Sequence, residues 1–229
     1  LDEFFMIRVG SIYDMTLSKQ SHIDNKSGMT PSEQLEAIFK AVPALYKQRD
    51  KTIGEINARL RSCNICCLSP GELEGKEKKQ AEQWFRDSIY PVLSPMVING
   101  HHPFPHLPTK SLNVILVLQR EGERVFGLVP IPKALPDFFC FNEPGLRYIL
   151  TEQLVLEYAG RLFHSYQVLE KHVISVTRNA DISPEDEDYD VGEDSREHMI
   201  KVLKKRNRLA HVRLEIQEEP SDEVIQYLC

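Results

Sequence analysis

The stretch SLNVILVLQREGERVFGLVPIP, Ser111 to Pro132, decides the fold class of this chain. Two β-branched apolar runs, 111–119 and 124–132, flank the polar REGE, and that pattern predicts an antiparallel hairpin. Ahead of it, prolines at 91, 95, 103, 105 and 108 make a stiff, irregular interval in which helical periodicity stops. The chain therefore predicts an α+β protein. An N-terminal antiparallel helical bundle over 1–92 is followed by a mixed α/β domain over 93–229 with a mostly antiparallel sheet.

The helical half is read from spacing. Leu1, Phe4, Phe5, Val9, Ile12 and Met15 fall on one broad helix face, already in stride at Leu1, so the bundle is read as incomplete at its start. Ser21 to Gly28 is a polar connection. Thr30-Pro31-Ser32-Glu33 spells a capping box with Pro at the first helical position. Leu35, Ile38, Phe39, Val42, Leu45, Tyr46, Ile53, Ile56 and Leu60 then follow the helical period, and Pro43 is expected to kink or divide that run. After Ser69-Pro70-Gly71 a third helix is expected to turn Ala81, Trp84, Phe85, Ser88 and Ile89 inward and to complete a small helical core.

Beyond the hairpin, DFFCF and LRYIL are short strand candidates around the turn Asn142 to Gly145. Thr151 to Phe163 returns to helical spacing with Thr151 as its cap, and Lys171 to Asn179 reads as a strand. Pro184 to Glu197 holds eight acidic residues and leads into the basic KVLKKRNR, a polarity that suits one helix dipole. AHVRLEIQ is a last strand, and Ser221 caps a terminal helix through Leu228.

At 229 residues the chain can bury roughly 70% of its unfolded surface in one large or two modest domains. Its 28 basic and 34 acidic residues give a net charge of −6, which provides no global attraction to nucleic acid. No apolar run reaches transmembrane length, and the first residues lack the features of a secretory leader. The five cysteines, three of them in CNICC, suit a reducing compartment.

Several residues invite a chemical reading. Cys63 and Cys66 have zinc-knuckle spacing, but no second pair completes a tetrahedral set, so packing is the better reading. His101, His102 and His106 lie among prolines that preclude helical i,i+4 ligation, and a turn with Phe104 docked in a core is preferred. There is no phosphate loop, dinucleotide fingerprint or nucleophile paired with a base by sequence. No metal site is expected. Arg178, Asn179 and Asp181 form the strongest polar constellation. An arginine there can hold phosphate or carboxylate in a bidentate manner, and an Arg–Asp bridge fixing the connection is favoured. Lys201, Lys204, Lys205 and Arg208 share one helical sector and form a candidate polyanion patch.

Taken in order, LDEFFMIRV, YPVLSPMVINGHHPFPHL, SLNVILVL, VTRNADISPEDED and VRLEI resemble the N-terminal and head domains of the bacterial-type, long-chain polyphosphate kinases. The resemblance spans essentially the whole chain. It implies a parent enzyme that reversibly transfers the terminal phosphoryl group of ATP to inorganic polyphosphate, with Mg2+, through a phosphohistidine carried by later domains. None of the eight histidines here matches that nucleophile. The chain alone is expected to be inactive and to bind no ATP, ADP or Mg2+ tightly. The resemblance further implies that Leu1, Asp2, Phe4, Phe5 and Arg8 help to wall the nucleotide site, next to an Asn that precedes this motif in the family. It makes Arg178 an organiser, the head domain a homo-oligomer contact, and the cytoplasm the location, peripheral to the inner membrane face. The alternative is a non-catalytic binding or scaffold module of the same fold.

Overall fold

A computed structural model describes residues 1–17, 23–99, 104–142, 145–179 and 210–228. A π-helical segment, Phe4–Val9, runs directly into α1, Gly10–Leu17. The other helices are α2 (Pro31–Ser62), α3 (Gly75–Trp84), α4 (Thr151–Tyr158) and α5 (Asp222–Leu228). The strands are β1 (Ile65–Leu68), β2 (Met96–Ile98), β3 (Leu112–Arg120), β4 (Glu123–Pro130), β5 (Phe138–Cys140), β6 (Leu146–Leu150), β7 (Gln167–Arg178) and β8 (His211–Ile216). This is the α+β class expected, with a mostly antiparallel main sheet.

The main sheet has the order β2-β4-β3-β7-β8. β3 pairs antiparallel with β4 from Asn113↔Pro130 to Arg120↔Glu123, as the hairpin reading requires. Its turn residues Glu121 and Gly122 both take positive φ, 53° and 86°, the backbone that matches a tight hairpin to the strand twist. β3 also pairs antiparallel with β7. As the central strand it is covered on both faces, and Val114 to Leu118 are all buried. That is why its sequence reads as a continuous apolar run rather than an alternation.

The chain folds as two compact units, Leu1–Gln48 with Val176–Leu214, and Arg49–Ser175 with Glu215–Cys229. Each unit joins sequence-distant pieces. In the second unit, one β3 face (Val114, Leu116, Leu118) packs with Leu154, Val155 and Tyr158 of α4. Ala81, Phe85 and Ile89 join the same cluster. The third helix therefore belongs to the sheet's core rather than to a helical core of its own, and Ser88 is exposed. Each large aliphatic side chain buried here contributes about 1.5–3 kcal/mol relative to exposure.

Other expectations are corrected locally. α2 is one continuous helix through Pro43, not two. A proline there costs about 3 kcal/mol. The stripe of Leu35, Ile38, Val42 and Tyr46, packed on both sides of Pro43, offsets that cost through tertiary burial. Thr151 is the first residue of α4 rather than its cap, and its hydroxyl donates to the Pro136 carbonyl. α4 gives way after Tyr158 to a 3-10 turn, Ala159–Leu162. Phe104 is 38% exposed, edge-on to Tyr227, while Leu107 is the buried residue of that segment. The CNICC cysteines lead into β1, which pairs parallel with β6 in a small sheet of order β1-β6-β5.

The other two expected caps, at Thr30 and Ser221, are present. Thr30 N–H donates to Glu33 Oε2 at 2.7 Å and Glu33 N–H to Thr30 Oγ1 at 3.4 Å. The Thr30 amide, then its hydroxyl, hold the Glu33 carboxyl below its usual range. Ser221 Oγ accepts from Val224 N–H at 3.4 Å, and Ser221 N–H in turn donates to Glu170 at 2.7 Å. No helix among the described residues is long and apolar enough to cross a membrane.

Candidate nucleotide-site wall

The first segment is amphipathic with a π turn, which adds a residue to the turn and sets the register of the faces. Phe5 is 1% exposed and Val9 is equally buried, packed with Val42 and Val212 and flanked by Leu35, Ile38 and Tyr46. Leu1 and Ile7 are exposed, and Phe4 is 40% exposed, its ring edge-on to Phe5 with centroids 5.9 Å apart. Of the two phenylalanines that helical spacing left equivalent, Phe5 is the anchor and Phe4 the presented ring. Arg8 lies at the surface and donates to Gln34 Oε1 at 3.3 Å.

Asp2 is held by a residue from the far end of the sequence. Arg213 on β8 donates from Nη2 to Asp2 Oδ1 at 2.6 Å. Its Nη1 donates to the Tyr46 hydroxyl at 3.1 Å, and Nε and Nη2 reach Thr177 Oγ1 at 3.1 and 2.9 Å. The guanidinium carbon stands 4.9 Å from the Phe5 ring centroid, within cation–π range. One planar, permanently charged fork thus ties the first segment, α2 and β7 together.

A second anchor lies farther along α1. Asn179 follows β7, its amide N–H bonded to the Ala210 carbonyl at 2.9 Å, and its side chain donates from Nδ2 to Asp14 Oδ2 at 2.6 Å. The same side chain packs against Gly10, where a β-carbon would come within 2.5 Å of Asn179 Cγ. Glycine is required there by close approach, since its φ of −57° suits any residue. Arg178, buried at the end of β7, belongs to the same unit. The structure thus brings Asp2, Phe5, Arg178 and Asn179 into one compact unit with Arg213. Asp181, Lys201, Lys204, Lys205 and Arg208 lie outside the described residues, as do His101 and His102.

Two family models match the chain in order, the polyphosphate kinase N-terminal domain over residues 1–68 and the polyphosphate kinase middle domain over residues 76–229. This chain belongs to the polyphosphate kinase family.

Among its relatives, the polyphosphate kinase of Exiguobacterium sibiricum is 33% identical over 223 residues, covering 95% of this chain and 31% of that protein. That of Staphylococcus haemolyticus is 32% identical over 226 residues, again covering 31% of its length. The crystal structure of polyphosphate kinase from Porphyromonas gingivalis superposes over 100% of this chain and 31% of its own with a TM-score of 0.74, at 19% identity, which establishes the shared fold. The chain thus spans about a third of the length of the polyphosphate kinases it matches.

Sequence reasoning singled out the LDEFF segment and the TRNAD arginine as candidates but did not place Arg213, Tyr46, Thr177 and Gly10 beside them. The available signal was a glycine interrupting an amphipathic helix and an arginine in a short apolar strand. Among the described residues no three His, Cys, Asp or Glu side chains gather as a metal set. Cys63 and Cys140 are exposed, Cys66 and Cys67 partly buried, and all four are free thiols. His106 is exposed.

Proposed function

We propose that residues 1–229 form the N-terminal and middle portion of an enzyme that reversibly moves the terminal phosphoryl group of ATP onto inorganic polyphosphate, and that this portion supplies one wall of the nucleotide site and contacts between subunits. The observation that carries the wall is the division of the LDEFF segment. Phe5 and Asp2 are locked from behind, while Leu1, Phe4 and Arg8 are presented together on the outside. A fixed aromatic ring with an apolar neighbour offers adenine a stacking surface, and an arginine one turn along offers a phosphate a cation.

The division of labour follows from the reaction. Phosphoryl transfer is mostly positioning and charge stabilisation, and a phosphohistidine route splits the exchange into two transfers. None of the eight histidines here matches the family nucleophile, so this portion binds and orients, and residues 1–229 alone turn over no ATP. Mg2+ neutralises the phosphates in such chemistry. The same proposal makes the complete protein a cytoplasmic homo-oligomer joined through its middle domain; light scattering of the purified protein would read the oligomeric state.

The test is Phe4→Ala in the complete protein. KM for ATP should rise roughly tenfold, as loss of a stacking face worth about 1–3 kcal/mol requires, with KM for polyphosphate unchanged. An unaltered KM for ATP would remove Phe4 from the site.

A further inference from the structure

We propose that Arg213 is the positioning residue of the nucleotide wall, fixing the start of the first helical segment so that Phe4 and Arg8 meet the nucleotide in one set orientation. The inference rests on the wall reading above and adds to it a residue 211 positions away from the one it holds.

Arg213 is an unusual choice for a purely structural strut. Its side chain is 7% exposed, whereas that of its carboxylate partner Asp2 is 52% exposed. A buried cation must recover its desolvation through good geometry, and replacing such a pair with apolar residues is often neutral or stabilising. What the fork provides, and a hydrophobic residue would not, is direction. Three of its donors engage three elements at once: Asp2 ahead of Phe4, the Tyr46 hydroxyl on α2, and Thr177 on β7. The Phe5 ring beneath the guanidinium adds a fourth contact on the residue adjacent to Phe4.

Asn179 fixes α1 farther along, at Gly10 and Asp14. Two anchors on one rod set its rotation as well as its place. Arg213 is the anchor next to the presented ring, and so it controls the angle at which Phe4 stands. Lysine cannot substitute, because a single ammonium cannot span Asp2, Tyr46 and Thr177 with the fixed angles of a planar fork.

The experiment compares Phe4→Ala, Arg213→Lys, Asp2→Asn and the Arg213→Lys/Asp2→Asn double variant in the complete protein. KM for ATP and for polyphosphate, the dissociation constant of a fluorescent ATP analogue, and the thermal midpoint are read for each. Arg213→Lys should raise the ATP KM and the analogue's dissociation constant roughly tenfold, in line with the sensitivity of bound geometry to small displacements, and leave the polyphosphate KM unchanged. Asp2→Asn should shift the same two constants in the same direction. The double variant should be no worse than Arg213→Lys, because the contact weakened by Asp2→Asn is already lost in Arg213→Lys.

Should Arg213→Lys not fold, Asp2→Asn, at the half-exposed end of the contact, gives the same readout. If Phe4→Ala weakens nucleotide binding while Asp2→Asn and Arg213→Lys lower only the thermal midpoint, Arg213 is merely structural and the inference is overturned with the wall intact. If Phe4→Ala changes nothing, the wall falls and the positioning role with it.

Discussion

Gly10→Ala isolates the second anchor, because the usual rule and the structure predict opposite signs. Gly10 has helical dihedrals, φ −57° and ψ −48°, so alanine meets no backbone strain and gains about 0.8–1 kcal/mol of helix propensity. Against this, the new β-carbon would lie 2.5 Å from Asn179 Cγ and 3.0 Å from its Cβ, with Oδ1 closer still. Asn179 must move, which breaks its 2.6 Å bond to the exposed Asp14 and disturbs the buried Asn179 amide, at about 1–3 kcal/mol. Overpacking adds about 1–3 kcal/mol. The net expectation is a loss of about 1–5 kcal/mol, measured as a lower denaturation midpoint at unchanged slope. Asn179→Gly removes all three clashing atoms, and in that background Gly10→Ala should stabilise by up to about 1 kcal/mol. The reversal of sign is the diagnostic result. If Gly10→Ala is neutral or stabilising with Asn179 in place, the close packing of Asn179 on α1 is refuted.

Two further outcomes test the second unit. Gly127 pairs with Leu116 in the hairpin, and a β-carbon there would meet Leu118 Cδ1 at 2.7 Å and Phe163 Cζ at 3.0 Å, so Gly127→Ala should destabilise by about 1–3 kcal/mol in urea unfolding. Burial pushes the Glu152 carboxyl above its ordinary 4.5; a backbone N–H opposes the shift and the neighbouring Asp137 charge adds to it. A raised carboxyl pKa means that the charged form costs the folded state stability. The cost is full above the folded pKa, shrinks as pH falls through it, and is gone below the unfolded value. Glu152→Gln should therefore raise the thermal midpoint at pH 7–8, an advantage that disappears below about pH 4; an advantage independent of pH would contradict the assignment to charge.

Much of the architecture could be read from local pattern because the responsible forces are local. The run Val114 to Leu118 announces a strand buried on both faces, REGE announces its turn, and Thr30 to Glu33 announces a helix start. Where the reading failed, the deciding partner was remote. The spacing of Ala81, Phe85 and Ile89 reveals an inner face but not that it faces a sheet. Pro43 carries a local penalty that packing around Val42 and Tyr46 outweighs. In the candidate site, Phe4 and Phe5 were legible as a pair, yet only the packing of Phe5 with Val42 and Val212 shows which is presented. Arg213 was illegible as a site residue because Asp2, Tyr46 and Thr177 converge on it only after folding.

The central claim, that the LDEFF segment walls a nucleotide site, is tested most directly by photoaffinity labelling of the complete protein with an azido-adenine ATP analogue, followed by peptide mapping. The account predicts label within residues 1–9, centred on Phe4, and its loss in competition with ATP. Competable label confined to other segments, with none on residues 1–9, would contradict it.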